Sequence, residues 1–232
     1  MIAAGVTKDF GVLASDSASY VSDEGEMSFE SPKLVSIGKY LLTFIGTPLY
    51  FSRIDRSRFG VKLNELSLYL QDYLKGIRRD VDDLLKQSIT DPDENQPNFC
   101  LYVLGVHGNY PTLAQFNSFN DFKPKYLWSD NGLKFSSVLY GDDSKPEKQA
   151  MFKETTKFME EEAKRIGTVT PGVVGEILTR GIYKKADLEM NIGTKKKYAG
   201  GMVNAAVIRN DGTLAPLSGI EIVPPEVING RR

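Results

Sequence analysis

Residues 2–15, IAAGVTKDFGVLAS, contain two short apolar runs that are separated by the polar pair Lys8-Asp9. Short apolar runs on either side of a polar break are typical of two strands joined by a tight turn. We therefore predict a β-hairpin with strands at 2–7 and 11–15. Asp16 follows the second strand directly, so a carboxylate is expected at the end of that strand.

Two further stretches carry the same signal. Residues 33–37 and 40–45 are separated by Gly38-Lys39, and residues 202–209 and 213–217 are separated by the turn sequence Asn210-Asp211-Gly212. Gly and Asn-Asp-Gly combinations favour the tight turns of hairpins because these turns need positive φ angles. Both ends of the chain are therefore predicted to be β-structure.

Helical periodicity dominates between these hairpins. Residues 63–87 place apolar side chains at spacings of three and four, which predicts an amphipathic helix. Two more helices are predicted at 146–165 and 171–188, the second with Thr170 as N-cap and Pro171 in the first position. Strands are predicted at 98–106, 112–116 and 135–140. This order predicts an α+β fold with helices outside stacked sheets, in one domain over 1–232 with a proline-containing tail from about residue 222.

Composition excludes several kinds of chemistry. The chain has 29 Lys and Arg against 30 Asp and Glu, one Cys (Cys100) and one His (His107). A single thiol and a single imidazole leave no disulfide framework, and neither a metal site nor a cofactor is expected. Near-zero net charge gives no field that attracts a polyanion, so the run Lys195-Lys196-Lys197 is interpreted as a solvated or subunit-facing loop, with no nucleic-acid partner.

Targeting signals are missing from the sequence as printed. Residues 1–9 show no basic leader followed by an apolar core, and no apolar stretch reaches the ~18 residues of a membrane span. We therefore expect a soluble, cytoplasmic protein with no membrane partner.

Three stretches resemble the β-type subunits of the proteasome and the related bacterial peptidases of the N-terminal-nucleophile (Ntn) hydrolase superfamily. Residues 5–17 are similar to that family's opening hairpin, and residues 31–37, SPKLVSI, to the strand that begins with its catalytic lysine. The most specific match is AGGMVNAAVI at 199–208 followed by Asp211-Gly212, since family members end with a Gly-Gly turn, an apolar strand, an Asp-Gly hairpin and a last strand. The resemblance implies a four-layer αββα sandwich.

The resemblance also implies a site. In such enzymes an N-terminal threonine attacks the scissile carbonyl, its own amine relays the proton, and a neighbouring lysine lowers the pKa of that amine. Asp16 and Lys33 match the buried carboxylate and the lysine, and Gly46 matches the glycine whose N–H stabilises the oxyanion. Specificity would come from pocket side chains such as Ser19, Glu30 and Phe44.

Four positions depart from the family pattern. Met1 stands where the family has its nucleophilic threonine, and a thioether has no proton to lose and forms no acyl intermediate. Asp142 takes the place of the serine that supports the terminal amine, Lys196 that of a supporting aspartate, and Ala199 that of a serine. These departures predict a ring-forming subunit with absent or impaired catalysis, which assembles with copies of itself or with relatives and has an unfoldase or a peptide as a possible partner.

Other interpretations stay open. The chain could be an active threonine-type peptidase or amidohydrolase whose true N-terminal nucleophile differs from Met1, or a non-hydrolytic scaffold with the same fold. Thr7 is a poor substitute nucleophile, because cleavage before it would delete most of the first strand. Lys33 is expected to pair with Asp16 whether or not the site is active. Gly46 also fits a plain turn, and Asp142 a helix cap.

Overall fold

The described part of the chain contains two five-stranded antiparallel sheets, a separate two-stranded pairing and three α-helices. A computed structural model describes residues 1–17, 19–20, 27–28, 33–45, 54–88, 99–138, 146–191 and 202–217. The helices are α1 (Leu63–Ser88), α2 (Pro146–Ile166) and α3 (Pro171–Asn191), with short 3-10 helices at Arg56–Gly60 and Ser118–Asn120. The strands are β1 (Ile2–Val6), β2 (Phe10–Asp16), β3 (Ser19–Tyr20), β4 (Met27–Ser28), β5 (Leu34–Ile37), β6 (Tyr40–Ile45), β7 (Cys100–His107), β8 (Tyr110–Asn117), β9 (Lys125–Leu127), β10 (Lys134–Val138), β11 (Val203–Arg209) and β12 (Leu214–Pro216).

The strand order explains how distant parts of the sequence meet. The first sheet has five strands in the order β10-β1-β2-β11-β12, the second has five in the order β5-β6-β7-β8-β9, and β3 pairs with β4 separately. The three hairpins predicted at 2–15, 33–45 and 202–217 are confirmed as β1-β2, β5-β6 and β11-β12. Gly38 and Gly212 have φ values of 57° and 84° in their turns, where an L side chain would be strained.

Buried side chains form three clusters that account for the packing. One contains residues of both sheets, including Ile2, Leu13, Leu41 and Leu104. A second joins the first sheet to α2 and α3. The third joins the second sheet to α1, whose buried face carries Leu66, Leu70 and Leu74. The sheets thus share one apolar layer while each also contacts helices, which makes this a mixed fold of the α+β class.

Close contacts involving glycine help to fix the second sheet. A Cβ at Gly105 in β7 would lie 2.4 Å from ring atoms of Tyr40 in β6, so the ring needs a glycine there. The Tyr40 hydroxyl donates a hydrogen bond to the Val61 carbonyl, just before α1. Tyr40 therefore connects the sheet to the segment that leads into its helix.

The helices begin and end close to the predicted positions. The Val173 N–H lies 3.4 Å from Oγ1 of Thr170, in agreement with the N-cap predicted for α3. Helix α1 has an exposed face, on which Leu68 is 63% exposed. None of the three helices that the structure describes is long and apolar enough to cross a membrane.

The aromatic segment near residue 120 is divided between core and surface. Residues Lys125–Leu127 form β9 at the edge of the second sheet. Phe116 and Phe122 are fully buried, whereas Tyr126 and Trp128 are 47% and 46% exposed. The 195–197 lysine run and the tail from 222 lie outside the described residues.

Candidate active site

A fully buried carboxylate lies at the end of β2. Oδ1 of Asp16 is 2.7 Å from the α-amine of Met1 and 3.0 Å from Nζ of Lys33. The side chains of Met1 and Asp16 are 0% exposed in this contact and that of Lys33 is 13% exposed. One carboxylate oxygen therefore contacts two cationic groups, and we call Met1, Asp16 and Lys33 the ion triad.

The register of the first sheet brings two members of the ion triad together. Ile2 lies opposite Ser15 in the β1-β2 pair, so Met1 comes opposite Asp16, and the Asp16 N–H donates to the Met1 carbonyl at 3.2 Å. Val203 of β11 lies on the other side of Asp16. Asp16 is therefore positioned by backbone pairing on both of its edges.

Lys33 approaches from the other sheet. It directly precedes β5, and its ammonium donates a hydrogen bond to Oδ1 of Asp16. The ion pair that the sequence predicted between these two residues is present. It links the first sheet to the second, and its Coulombic attraction is strong because water is largely excluded.

The side chain of Met1 lies in the core. It is 1% exposed and belongs to the apolar cluster between the first sheet and helices α2 and α3, together with Ala3, Val12 and Met159. Its amine and its thioether thus have different surroundings, since the amine contacts a carboxylate and the sulfur lies among apolar groups. A thioether in such a place supplies packing and no acid–base chemistry.

Ser17 contributes a contact that the sequence analysis did not predict. Its Oγ accepts a hydrogen bond from the Met202 N–H at 3.0 Å, and the residue is 2% exposed. This bond fixes the start of β11 beside the end of β2. The polar run Ser15-Asp16-Ser17 at the end of an apolar strand was the available signal, because buried polar side chains need partners.

Of the remaining predicted site residues, Phe44 and Ser19 lie in described elements. Phe44 in β6 is 5% exposed and stacks on Phe99, with 6.2 Å between ring centroids, in the cluster that faces α1. Ser19 lies in β3. Five predicted site residues lie outside the described residues: Glu30, Gly46, Asp142, Lys196 and Ala199.

The residue types that bind metals are spread out in the part of the chain that the structure describes. There, no three His, Cys, Asp or Glu side chains come close enough together to hold a metal ion. Cys100 is buried in β7, and His107 is exposed at the end of the same strand. The ion triad offers a single carboxylate, which already contacts two cations.

No protein-family model and no curated protein matched this sequence.

The geometry of the ion triad is suited to holding an amine in place. Asp16 fixes the α-amine of residue 1, and Lys33 adds a positive charge beside it. Such an amine in its neutral form can accept a proton from a hydroxyl on its own residue, but Met1 has no hydroxyl.

Proposed function

We propose that this protein is a proteasome-β-like, ring-forming subunit of the Ntn-hydrolase fold in which peptidase catalysis is absent or strongly impaired. The observation that carries the proposal is the contact of both the Met1 α-amine and the Lys33 ammonium with the buried Asp16 carboxylate. In the resembled family, the aspartate and lysine at these positions surround the nucleophilic residue.

The arrangement of layers supports the proposed fold. Two five-stranded antiparallel sheets share one core cluster, α1 packs on the second sheet, and α2 and α3 pack on the first. A four-layer αββα sandwich of the Ntn type has this order of layers. The hairpins β1-β2 and β11-β12 lie where the resemblance requires them.

The chemistry of residue 1 supports impaired catalysis. Acyl transfer by this family needs a hydroxyl oxygen that bonds to the scissile carbonyl carbon while its proton passes to the amine. Met1 offers a thioether, and its side chain is 1% exposed in the cluster that faces α2 and α3. Both its chemistry and its burial prevent attack on a peptide.

Ring assembly is the second part of the proposal. The expected partners are copies of this chain or related subunits, with an unfoldase or a peptide as a further partner. Tyr126 and Trp128, each nearly half exposed at the edge of the second sheet, provide apolar surface for such a contact.

An active threonine-type peptidase or amidohydrolase is the second candidate. The favouring observation is that Lys33 and Asp16 lie 3.0 Å apart, which is what an N-terminal nucleophile would require. In this case the working protein would carry threonine, serine or cysteine as its first residue.

Intact-mass measurement and peptide cleavage distinguish the two candidates. Purified protein whose mass retains Met1 should not cleave a peptide library and should give no adduct with an electrophile that captures terminal threonines. Robust cleavage by that protein would overturn the proposed inactivity, and a mass that places Thr, Ser or Cys first would favour the second candidate.

A matched variant makes this test sharper. When Met1→Thr is expressed behind a removable initiator methionine, the new terminal hydroxyl should form the adduct, and Lys33→Ala in the same background should weaken adduct formation. Native mass should give a closed multiple of the subunit mass, alone or with co-expressed relatives. A monomer under both conditions would refute ring assembly.

A further inference from the structure

A second concave site lies away from the ion triad. A cleft of about 590 Å³ opens between α2, the edge strand β10 and strands β7 to β9, and we call it the α2 cleft. Its volume falls within the range of about 300–1,000 Å³ that is typical of small-molecule sites. Met1, Asp16 and Lys33 do not line it.

A hydrogen-bonded network holds one wall of the α2 cleft in place. Oγ of Ser136 accepts a hydrogen bond from Nε2 of Gln115 at 2.9 Å and lies 3.0 Å from the Tyr102 hydroxyl. The network joins β10 of the first sheet to β7 and β8 of the second. Because it crosses between sheets, this wall is preorganised before any ligand binds.

Positive charge predominates around the α2 cleft. Among the described residues, Lys125, Lys153 and Lys157 line it, and Glu160 is the one acidic lining residue. Lys157 lies 3.7 Å from Glu161, but Lys125 and Lys153 form no ion pair with any described residue. Two lysines on different elements, β9 and α2, that have no ion-pair partner among the described residues therefore face one concavity, which attracts anions.

Two lining atoms lack a hydrogen-bond partner within the described part of the chain. These are Oγ of Ser137 and Oδ1 of Asn120, and both are inaccessible to solvent. A serine hydroxyl can donate to an oxyanion, and an amide oxygen can accept from a ligand O–H or N–H. Because solvent does not reach either atom, a ligand in the cleft could contact them only if neighbouring side chains moved.

Aromatic side chains supply the apolar part of the lining. Phe135 of β10 and Phe152 of α2 are half-buried lining residues. Nζ of Lys185 lies 4.7 Å from the centroid of the Phe152 ring, which helps to fix that ring in place. The α2 cleft thus combines cations and aromatic surface.

We propose that the α2 cleft binds a small organic oxyanion, a phosphate or carboxylate group attached to an aromatic or similarly flat apolar ring. The oxyanion would lie between Lys125 and Lys153, and the ring would pack against Phe135 and Phe152. This proposal is independent of whether the ion triad supports catalysis.

Calorimetry with named probes tests the ligand chemistry. Phenyl phosphate and benzoate should bind the full chain, more weakly as salt is raised, and phenol should bind much more weakly than either. Binding by phenyl phosphate alone assigns the site to phosphate, and binding by benzoate alone assigns it to carboxylate. Absence of binding by both at millimolar concentration, or equal binding of phenol, overturns the proposal. Equal binding of inorganic phosphate removes the role of the ring.

Variants test the location. Lys125→Gln and Lys153→Gln should each weaken binding about 2–5-fold, and about 4–25-fold together, as expected for exposed charges that act independently. Lys164→Gln, on the same helix as Lys153 but outside the cleft lining, is the matched control and should not change affinity. Full-strength binding by the double variant, with unchanged thermal unfolding, would refute this location.

Discussion

Neutralising Asp16 should destabilise the protein strongly, because its carboxylate is fully buried and contacts two cations. Asp16→Asn keeps the shape of the side chain and removes its charge, so the Met1 amine and the Lys33 ammonium lose their shared counter-ion. Breaking a buried ion pair costs about 3–5 kcal/mol. That is a large part of the free energy of unfolding, which is roughly 5–15 kcal/mol for a typical folded protein.

The cost converts into a measurable change in the melting temperature. For a chain of this size 1 kcal/mol corresponds to about 2–4 °C, so Asp16→Asn should lower the Tm by about 6–20 °C. Thermal and urea unfolding of the full chain at neutral pH, followed by circular dichroism, measures this. Asp9→Asn is the control: Asp9 is exposed, forms no ion pair with a described residue, and should change the stability by less than about 0.5 kcal/mol.

A double-mutant cycle with Lys33→Met tests whether the ion triad acts as a unit. Lys33→Met leaves Asp16 paired with the Met1 amine, so it should cost less than Asp16→Asn. In the Lys33→Met background, Asp16→Asn should then cost about 0.5–3 kcal/mol less than in the wild type. Additive effects, or an Asp16→Asn variant whose Tm lies within about 2 °C of the wild type, would refute the reasoning.

Two predictions concern the packing around Tyr40. Gly105→Ala should destabilise the fold by about 1–3 kcal/mol in urea unfolding, because the new Cβ would lie 2.4 Å from the Tyr40 ring. The control Gly76→Ala has open space around the new Cβ in α1 and should be neutral or stabilising. Equal effects of the two substitutions would contradict this prediction. Burial, with a smaller contribution from Glu65, raises the pKa of Tyr40 to about 12, above the value of about 10 in an unfolded chain. The Tyr40 contribution to stability should therefore be complete below pH ~10 and decline as the pH rises towards 12. In Tyr40→Phe, the free energy of unfolding should depend less on pH in this alkaline range. An unchanged pH dependence of unfolding in that variant would contradict the prediction.

The hairpins were predictable from sequence because their determinants are local. Gly38 and Gly212 supply the positive φ angles of two turns, and the apolar runs around them match the observed strands. Strand β9 was not predictable in this way. It has three residues, of which Lys125 and Tyr126 are exposed, and its conformation depends on pairing with β8, a tertiary interaction.

The ion triad was predictable only in part. The Asp16–Lys33 pair was expected because the family resemblance matches Asp16 to a buried carboxylate and Lys33 to a neighbouring lysine. The contact of Asp16 with the Met1 amine depends on the β1-β2 register, which places Met1 opposite Asp16 and which no side-chain pattern states. The side chain of Met1 therefore gave no indication that its α-amine contacts Asp16.

This division between amine and side chain determines which experiments are informative about function. Asp16 and Lys33 hold the start of β1 against the second sheet whatever residue 1 is, so a stability loss on removing either of them is expected of an active enzyme and of an inactive subunit alike. Reactivity at residue 1 depends in addition on a hydroxyl, which Met1 lacks. A stable Met1→Thr variant that reacts at its terminal threonine would mean that the groups around the α-amine can still support nucleophilic attack. The Met1 side chain alone would then account for the lack of reaction. A variant equally stable but unreactive would locate the defect elsewhere in the site, beyond the ion triad.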